Sequence, residues 1–504
     1  MADATMTAPA AGSSVGCEKY AGLMKYWGLF AGLLALAVIC LMPVQPGLSE
    51  AGQRMIGIML FAVIVWATNS VSYPVSAGVI MALMAILVGF APKPGTEQLF
   101  GTSAALKMAL AGFSSPAFCL VGAALFLSAA MTKTGLDKRI ALVILSKIGA
   151  TPARVTIGII VCGFILSFFV PSTTARVACL VPIVIGMVRA FGLSVTSPFA
   201  GLLMITVAQI DSVWNVGIKT AAAQNMVAVN FIRDITGTDI SWLEWFTAAA
   251  PFAVLMSVAL FFTVTKMVKT GVTSIPGGKE AVKKSLAELG PVTRDELKLL
   301  VVSCVLLFLW VTEKSLHPID TTTSTVCAIA LLMLPGIGVM DWKSVVGKIN
   351  WGTVLLFGVG ISLGSGLLST KAAQWLADTI VMTFDLQHAS AFFVIAVMAA
   401  FLIVIHLGFA SATGLAAAVI PIIIAVCSAL QSPDINVIGM TMILQFTVSF
   451  GYILPVNAPQ NMIAYSTGSF TVSTFAKVGV VLTIIAYALI LLLSATYWHW
   501  LGLV

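Results

Sequence analysis

Apolar runs long enough to cross a lipid bilayer recur along the whole chain, and this repetition limits the fold more than any other feature. A helix needs about 20 apolar residues to span a hydrocarbon core of about 30 Å. Eleven uninterrupted runs approach or reach this length: 26–44, 55–72, 74–91, 112–132, 196–217, 247–267, 297–313, 320–338, 351–369, 434–455 and 474–498. Only 9% of the 504 residues are charged, too few to cover a water-facing surface. The sequence therefore predicts an all-α integral membrane protein.

Two further apolar stretches, 155–190 and 390–429, are interrupted in the middle by small polar residues. The first break is Pro-Ser-Thr-Thr at 171–174, and the second is Ser-Ala-Thr-Gly at 411–414. Helices break at membrane depth only where protein or water satisfies the freed backbone groups. We therefore predict about eleven transmembrane helices and two re-entrant hairpins that do not cross the membrane.

The basic residues lie in a few short loops, which predicts the orientation. Residues 133–154 carry five Lys and Arg side chains, and residues 266–298 carry seven. Loops rich in Lys and Arg stay on the cytoplasmic side. We therefore expect a multi-pass protein of the cell inner membrane, with a cytoplasmic N-terminus and a periplasmic or extracellular C-terminus. The net charge of +7 then reflects membrane topology, and no nucleic-acid partner is expected.

The two halves of the chain share short motifs in the same order. The matching pairs are 66–68 with 310–312, 172–174 with 411–413, Gln209 with Gln445, and the Gln-Asn motifs 221–226 with 457–462. The first copy covers 54–268 and the second 298–498. Each copy holds five spans and a hairpin, an odd number of crossings, so the second copy starts from the opposite side. Inverted repeats with interrupted helices are typical of secondary transporters.

The hairpin breaks have the chemistry of an anion site. The N-terminus of a helix carries free N–H groups and a partial positive charge, and neighbouring Ser and Thr hydroxyls add further donors. Two such tips could hold the two ends of a dicarboxylate. Each Ser or Thr could instead only cap its own helix.

Four ionisable side chains lie near the breaks: Arg176, His406, Asp211 and Lys219. Charges within a membrane are rare and indicate function by default. Asp211 could instead form a structural ion pair with Lys219 or Arg176. If the guanidinium of Arg176 is unpaired, only a carrier loaded with an anion moves readily, which leads to the hypothesis of obligatory anion exchange.

An enzyme and a channel are the other classes considered. The chain has no paired carboxylates at helical spacing, no His pair at i, i+4, and no C-x-x-C among its eight cysteines. We therefore expect no enzymatic activity, no metal and no cofactor. The inverted repeat with broken helices favours alternating access over a channel.

Several fragments resemble the divalent anion/sodium symporter family. These are Phe-Val-Pro-Ser-Thr-Thr-Ala-Arg at 169–176, Phe-Ala-Ser-Ala-Thr at 409–413, Leu-Pro-Val-Asn-Ala-Pro-Gln-Asn at 454–461, and the stretch from Asp295-Glu296 to 351–358. The resemblance covers nearly the whole chain. It implies a homodimer in which a scaffold domain holds an elevator-type transport domain that carries small organic anions.

The resemblance also implies site residues. The substrate-binding candidates are Ser172, Thr173, Thr174, Ser411, Ala412, Thr413 and Pro459, to which we add Asn225 and Asn461 of the Gln-Asn motifs. Ala221 and Asn457 fall where the family's broken helices contribute backbone to sodium, and Asp211 is a candidate proton site. Arg176 and His406 are candidates for charge compensation.

The chain departs from the family where sodium would bind. Thr173 and Ala412 replace the asparagines of the two Ser-Asn-Thr motifs, and Ala412 offers no side-chain oxygen to a cation. Arg176 and His406 add positive charge, as in the family's sodium-independent exchangers. We therefore expect sodium-independent exchange of di- or tricarboxylates. Sodium- or proton-coupled symport, and sulfate or sulfonate as the cargo, remain alternatives.

The predicted organisation has six segments. They are an N-terminal cytoplasmic segment (1–24), first scaffold helices (25–111), a first transport-domain half (112–246) with its hairpin around 172–174, scaffold helices (247–350) with a cytoplasmic loop (268–297), a second transport-domain half (351–473) with its hairpin around 411–413, and a last helix (474–504).

Overall fold

The computed structural model describes residues 26–148, 151–272, 278–432 and 434–504. Within these ranges the chain is helical and forms no β-strand. The first half contains α1 (Trp27–Leu41), α2 (Glu50–Thr68), α3 (Tyr73–Leu83), α4 (Thr102–Leu110), α5 (Pro116–Thr134), α6 (Leu136–Ser146), α7 (Pro152–Phe169), α8 (Thr173–Ala190), α9 (Pro198–Gly217), α10 (Ala223–Thr236) and α11 (Trp242–Met267).

The second half repeats much of this order. It contains α12 (Gly278–Glu288), α13 (Arg294–Thr312), α14 (Thr321–Met333), α15 (Trp342–Val345), α16 (Trp351–Ser369), α17 (Ala372–Thr383), α18 (Ala391–His406), α19 (Ala412–Ala429), α20 (Val437–Val448), α21 (Pro459–Tyr465), α22 (Val472–Ala495) and α23 (Tyr497–Trp500). Short turns link these helices: a π-helical turn at Met84–Val88 and 3-10 turns at Ala111–Ser114, Lys219–Ala221, Val346–Lys348 and Pro455–Asn457.

The helices have the length and composition of membrane spans. In the described parts of the chain, nine helices are long and apolar enough to cross a bilayer, and five shorter helices are also apolar. Large apolar side chains such as Phe262, Phe308 and Ile484 are exposed on the long helices. Such a surface is suited to lipid and not to water. The prediction of an all-α membrane protein is confirmed, whereas the number of crossings, the elevator motion and the homodimer stay predictions.

Local sequence explains where the helix pairs of the hairpins begin and end. Pro152 starts α7 one residue after the cap Thr151, whose hydroxyl accepts from the Arg154 N–H. At the other end of α7, Val170 is extended, with φ −115° and ψ 93°. A residue before proline is pushed out of the α-helical region, so Pro171 ends the helix. The second break lies between the end of α18 at His406 and the start of α19 at Ala412, so both predicted interruptions coincide with real breaks.

The internal repeat is visible in the backbone. Ser172 has φ −146° and ψ 111°, and its counterpart Ser411 has φ −150° and ψ 117°. Further along, a 3-10 turn precedes α10, and another precedes α21. Ala222 and Ala458, which follow these turns, have φ near −150° and ψ near 140°. The two halves thus share the broken-helix geometry as well as the sequence motifs.

Arg139 of α6 connects this helix to the first turn of α13 and to the segment that precedes it. Its Nε donates to Glu296 Oε1 at 2.7 Å, and its Nη1 donates to the carbonyl of Gly290 at 3.0 Å. Both charged side chains are mostly buried. Removing one partner of such a pair leaves the other charge desolvated without compensation.

We expect Arg139→Ala to destabilise the protein by about 3 kcal/mol while the substrate KM stays unchanged. Thermal unfolding of the detergent-solubilised protein, combined with uptake assays, measures both quantities. Lys138→Ala is the matched control, because Lys138 is exposed on the same helix. Equal melting temperatures of the two variants would contradict a stabilising role for Arg139.

The predicted N-terminal segment 1–24 lies outside the described residues, as does part of the predicted loop 268–297. The domain boundaries stay predictions.

Candidate functional site

A cavity of about 450 Å³ lies where the two hairpin tips approach each other. Its walls include eight of the predicted site residues: Ser172, Thr173, Thr174, Ala221, Ser411, Ala412, Thr413 and Pro459. The tips are 239 residues apart in sequence and share this one space. The cavity therefore brings together the N-termini of α8 and α19.

Each tip is capped by its own serine. Ser172 Oγ accepts from the Ala175 N–H at 3.4 Å, and Ser411 Oγ accepts from the Gly414 N–H at 3.3 Å. The serine hydroxyls thus act as helix caps, the alternative that the sequence left open. The first two N–H groups of each helix remain, and within the described ranges no protein acceptor bonds to them. With two helix N-termini beside it, the cavity is suited to an anion.

Arg176 does not line the cavity and is fully buried beneath the first tip. Its Nε donates to Asp211 Oδ1 at 2.7 Å. The expectation that Arg176 faces the cargo as an unpaired charge is therefore wrong, because Asp211 neutralises it. Lys219, the other candidate partner of Asp211, instead donates to the carbonyl of Ile240 at 2.6 Å.

The guanidinium of Arg176 also occupies a cluster of oxygen atoms. Nη1 donates to the carbonyls of Val170 at 2.8 Å and Ala221 at 3.3 Å, and Nη2 donates to Asn215 Oδ1 at 2.9 Å. These oxygens come from the hairpin tip, the 3-10 turn and α9. Carbonyl, amide and carboxylate oxygens are the ligands of hard cations. Here a protein cation fills the position between them.

In the second half of the chain, the side-chain amide of Asn457 occupies a corresponding cluster of oxygen atoms. Its Nδ2 donates to the carbonyls of His406 at 3.0 Å, Leu407 at 3.2 Å and Phe409 at 3.2 Å. Its position corresponds to that of Ala221 in the repeat. The amide nitrogen thus occupies the carbonyl cluster beneath the second tip, and Asn457 was expected there as a cation ligand.

A family comparison identifies the fold that carries this site. The model of the sodium:sulfate symporter transmembrane region matches residues 23–504. The chain belongs to this family. The sequence motifs indicated the same family of anion transporters, and a transporter assignment excludes an enzyme.

Three relatives are similar to this chain over nearly its whole length. A "Membrane protein" of Cupriavidus necator is 53% identical over 95% of this chain and 94% of its own length. The sodium-dependent dicarboxylate transporter SdcS of Staphylococcus saprophyticus is 24% identical, covering 92% of this chain and 90% of its own. The citrate/succinate antiporter of Escherichia coli is also 24% identical, covering 93% and 97%.

A solved structure supports the fold alone. The chain of MtrF from Neisseria gonorrhoeae aligns with a TM-score of 0.54 at 13% identity, covering 90% of this chain and 95% of that one.

Three further predicted residues lie behind the cavity wall in this symporter-family fold. Asn225 Nδ2 donates to the carbonyl of Asn215 at 2.7 Å, and Asn461 Nδ2 donates to that of Gly451 at 2.8 Å. Both amides satisfy unwound backbone and do not line the cavity. His406 is also buried away from it, and neither ring nitrogen has a partner in the described part of the chain.

Asn215, Gln224 and Gln460 also line the cavity. They were not among the site residues predicted from the sequence. Asn215 Oδ1 accepts from Thr173 Oγ1 at 2.7 Å, in addition to Arg176. Gln224 donates to Ser449 and Gln460 to Ser212, so the two halves exchange matched hydrogen bonds. A signal existed for all three, since Asn215 lies one turn after Asp211 and both glutamines are part of the Gln-Asn motifs.

A second cavity of about 270 Å³ lies beyond part of the first cavity's wall. Leu120 of α5 and Met226 of α10 line both cavities and are nearly fully buried. Lys219 and Glu313 are among the polar residues on the far side. The two apolar side chains therefore form a thin wall between the two spaces.

Proposed function

We propose that this chain is a secondary carrier of di- and tricarboxylates in the cell inner membrane, and that it exchanges anions without sodium. One observation carries the sodium-independence: N–H donors of Arg176 and Asn457 occupy the oxygen clusters beneath both tips. A bound cation would have to displace a guanidinium that is paired with Asp211. The relatives include both a sodium-dependent transporter and an antiporter at 24% identity, so their names do not decide the coupling.

Carboxylates suit the site because it offers matched donors on two sides. Each tip presents two free N–H groups, and Gln224 and Gln460 also line the cavity. Hydrogen bonds to a charged acceptor are roughly twice as strong as those between neutral groups. A molecule with a carboxylate at each end can engage both tips at once, which a monocarboxylate cannot do.

The physical reason for exchange differs from the one that the sequence suggested. Since Asp211 neutralises Arg176, no unmatched guanidinium has to cross with the empty carrier. The four free N–H groups remain. In the empty carrier they must cross either with bound water or unsatisfied, and each unsatisfied group costs several kcal/mol in an apolar environment. A bound dicarboxylate satisfies them. Because each 1.36 kcal/mol slows a step tenfold, the empty carrier returns far more slowly than the loaded one.

Counterflow in proteoliposomes tests this proposal. The purified protein is reconstituted with or without internal succinate or citrate, and uptake of labelled succinate is followed in sodium or choline buffer. We expect uptake to require the internal anion and to be equal in both buffers. Sodium-dependent uptake into anion-free vesicles would contradict the proposal and support symport.

Proton coupling is the second candidate, because Asp211 Oδ2 has no partner in the described part of the chain and could accept a proton. Uptake into anion-free vesicles that is driven by a pH gradient, and lost in Asp211→Asn, would favour it. Sulfate and a sulfonate should be tested as substrates in the same uptake assay. Sulfate is a divalent oxyanion and a sulfonate group a monovalent one, and N–H donors can bind both.

The wall between the two cavities provides a separate prediction. We expect Met226→Ala to raise the efflux of internal succinate, in the absence of an external anion, by about tenfold, the effect of removing about 1.4 kcal/mol from a barrier. Leu125→Ala is the matched control, because Leu125 lines the first cavity but not the second. Equal efflux from the two variants would show that Met226 does not seal the path.

A further inference from the structure

Among the described residues that line the cavity between the hairpin tips, Lys348 carries the one charged side chain. It ends the 3-10 turn Val346–Lys348, just before α16, and it is exposed. Asn350 and Thr353, which follow it, also line the cavity. The ion pairs of the described residues do not include Lys348. Its ammonium group is therefore available to an anion at the open end of the cavity.

We propose that Lys348 selects the charge of the cargo, by binding a carboxylate that the hairpin tips leave exposed and thereby favouring di- and trianions over monoanions. This inference rests on the proposed function, in which the site takes carboxylates. The positive charge that was expected beside the cargo, that of Arg176, is instead buried in an ion pair.

The charge balance of the cavity supports this role. Each helix N-terminus acts as roughly half a positive charge, so the two tips together supply about one. A dicarboxylate brings two negative charges. The polar groups of the tips and the glutamines are neutral, and Lys348 can supply the missing unit of charge. An exposed ammonium also raises the encounter rate with anions, and salt screens this effect.

The position of Lys348 predicts an effect on one side of the membrane. The residue belongs to the turn before α16 and not to either hairpin. A carrier that alternates its access presents the cargo to Lys348 only when the cavity is open on that side. By the distribution of basic loops, that side is the cytoplasmic one.

The test compares Lys348→Gln and Lys348→Glu with Lys343→Gln and Lys343→Glu. Lys343 is also exposed and basic, lies five residues earlier, and does not line the cavity. Exchange kinetics are measured from each side of oriented proteoliposomes with succinate, citrate and a monocarboxylate such as acetate, at low and high salt. All four variants change exposed side chains, and a melting temperature equal to that of the wild type verifies that they fold.

We expect Lys348→Glu to raise the KM for succinate by about tenfold at low salt on one side only, with less effect at high salt. The effect on citrate should be larger, that on acetate smaller, and kcat should not change. Lys343→Glu should behave as the wild type. Equal KM values for the Lys348 and Lys343 variants, or an equal change for acetate and succinate, would overturn the role of Lys348 while leaving the proposed function standing. If the wild type exchanges no carboxylate, both proposals fail.

Discussion

Arg176→Ala is expected to abolish exchange and to destabilise the protein by about 3–5 kcal/mol, because it leaves the carboxylate of Asp211 buried without a partner. The pair is fully buried, and the guanidinium also binds carbonyl oxygens of Val170 and Ala221. The first hairpin tip and the 3-10 turn would lose their common contact. Melting temperatures and counterflow measure the two losses.

Sodium provides a sharper readout of the same variant. Once the guanidinium is removed, the oxygens of Val170, Asn215 and Asp211 surround a space that a hard cation can occupy. We therefore expect sodium to raise the melting temperature of Arg176→Ala above its value in choline, and to leave the wild type unchanged. Arg189→Ala is the control, since Arg189 is exposed at the other end of α8. A sodium response of the wild type equal to that of Arg176→Ala would contradict the interpretation of this cluster.

The double variant Arg176→Met/Asp211→Leu separates charge from packing. Replacing both members of a buried ion pair by apolar residues of similar size is often neutral or stabilising. We expect the double variant to be more stable than Arg176→Ala and to lack the sodium response, because the carboxylate ligand is gone. A double variant as unstable as the single one would show that packing, and not the buried charge, dominates the loss.

Ala412→Pro is expected to weaken dicarboxylate binding by about 1.5–3 kcal/mol, or roughly 10- to 150-fold, since it removes one N–H donor to a charged ligand. Ala412 is the first residue of α19 and lines the cavity. Proline is well tolerated at this helix position, because the N–H it lacks makes no bond within the helix. Ser411 before it is already extended, as a residue before proline must be. The change should therefore leave α19 intact.

Val472→Pro is the matched control for Ala412→Pro. Val472 is also the first residue of a long helix, follows an extended Thr471, and lies away from the cavity. Equilibrium dissociation constants for succinate, measured by calorimetry, are expected to be raised by Ala412→Pro alone. Unchanged affinity in Ala412→Pro would remove the free N–H groups of the second tip from the anion site.

The positions of the two breaks could be predicted from the sequence because their causes are local. Pro171 forces its predecessor out of the helical region, and Ser172 and Ser411 are strong helix caps. The repetition of these signals 239 residues later raised the specificity of the prediction. The apolar runs around them were long enough to fix an all-α membrane fold.

The partner of Arg176 could not be predicted, because it depends on packing between separate helices. Asp211 lies 35 residues away on α9, and the sequence left Arg176 and Lys219 as competing partners. The structure places the guanidinium against Asp211, while Lys219 reaches a backbone carbonyl instead. The Arg176–Asp211 pair leaves no unmatched guanidinium at the cavity, so an unpaired Arg176 cannot be the physical reason for exchange.

The sequence also could not predict whether the side chains of the asparagines in the Gln-Asn motifs face the cavity or the backbone. An amide at a broken helix can face a cavity or satisfy unwound backbone, and both uses require the same residue type. Asn225, Asn457 and Asn461 all take the second use. Lys348 was missed for a related reason, because only the tertiary fold brings the turn before α16 to the cavity between the hairpins.

The most direct measurement is the affinity of the wild-type protein for succinate in sodium chloride and in choline chloride at equal ionic strength. If N–H donors already occupy both oxygen clusters, titration calorimetry should give the same dissociation constant in the two salts. Binding that is about tenfold or more tighter in sodium, which corresponds to a coupling of about 1.4 kcal/mol, would contradict the account.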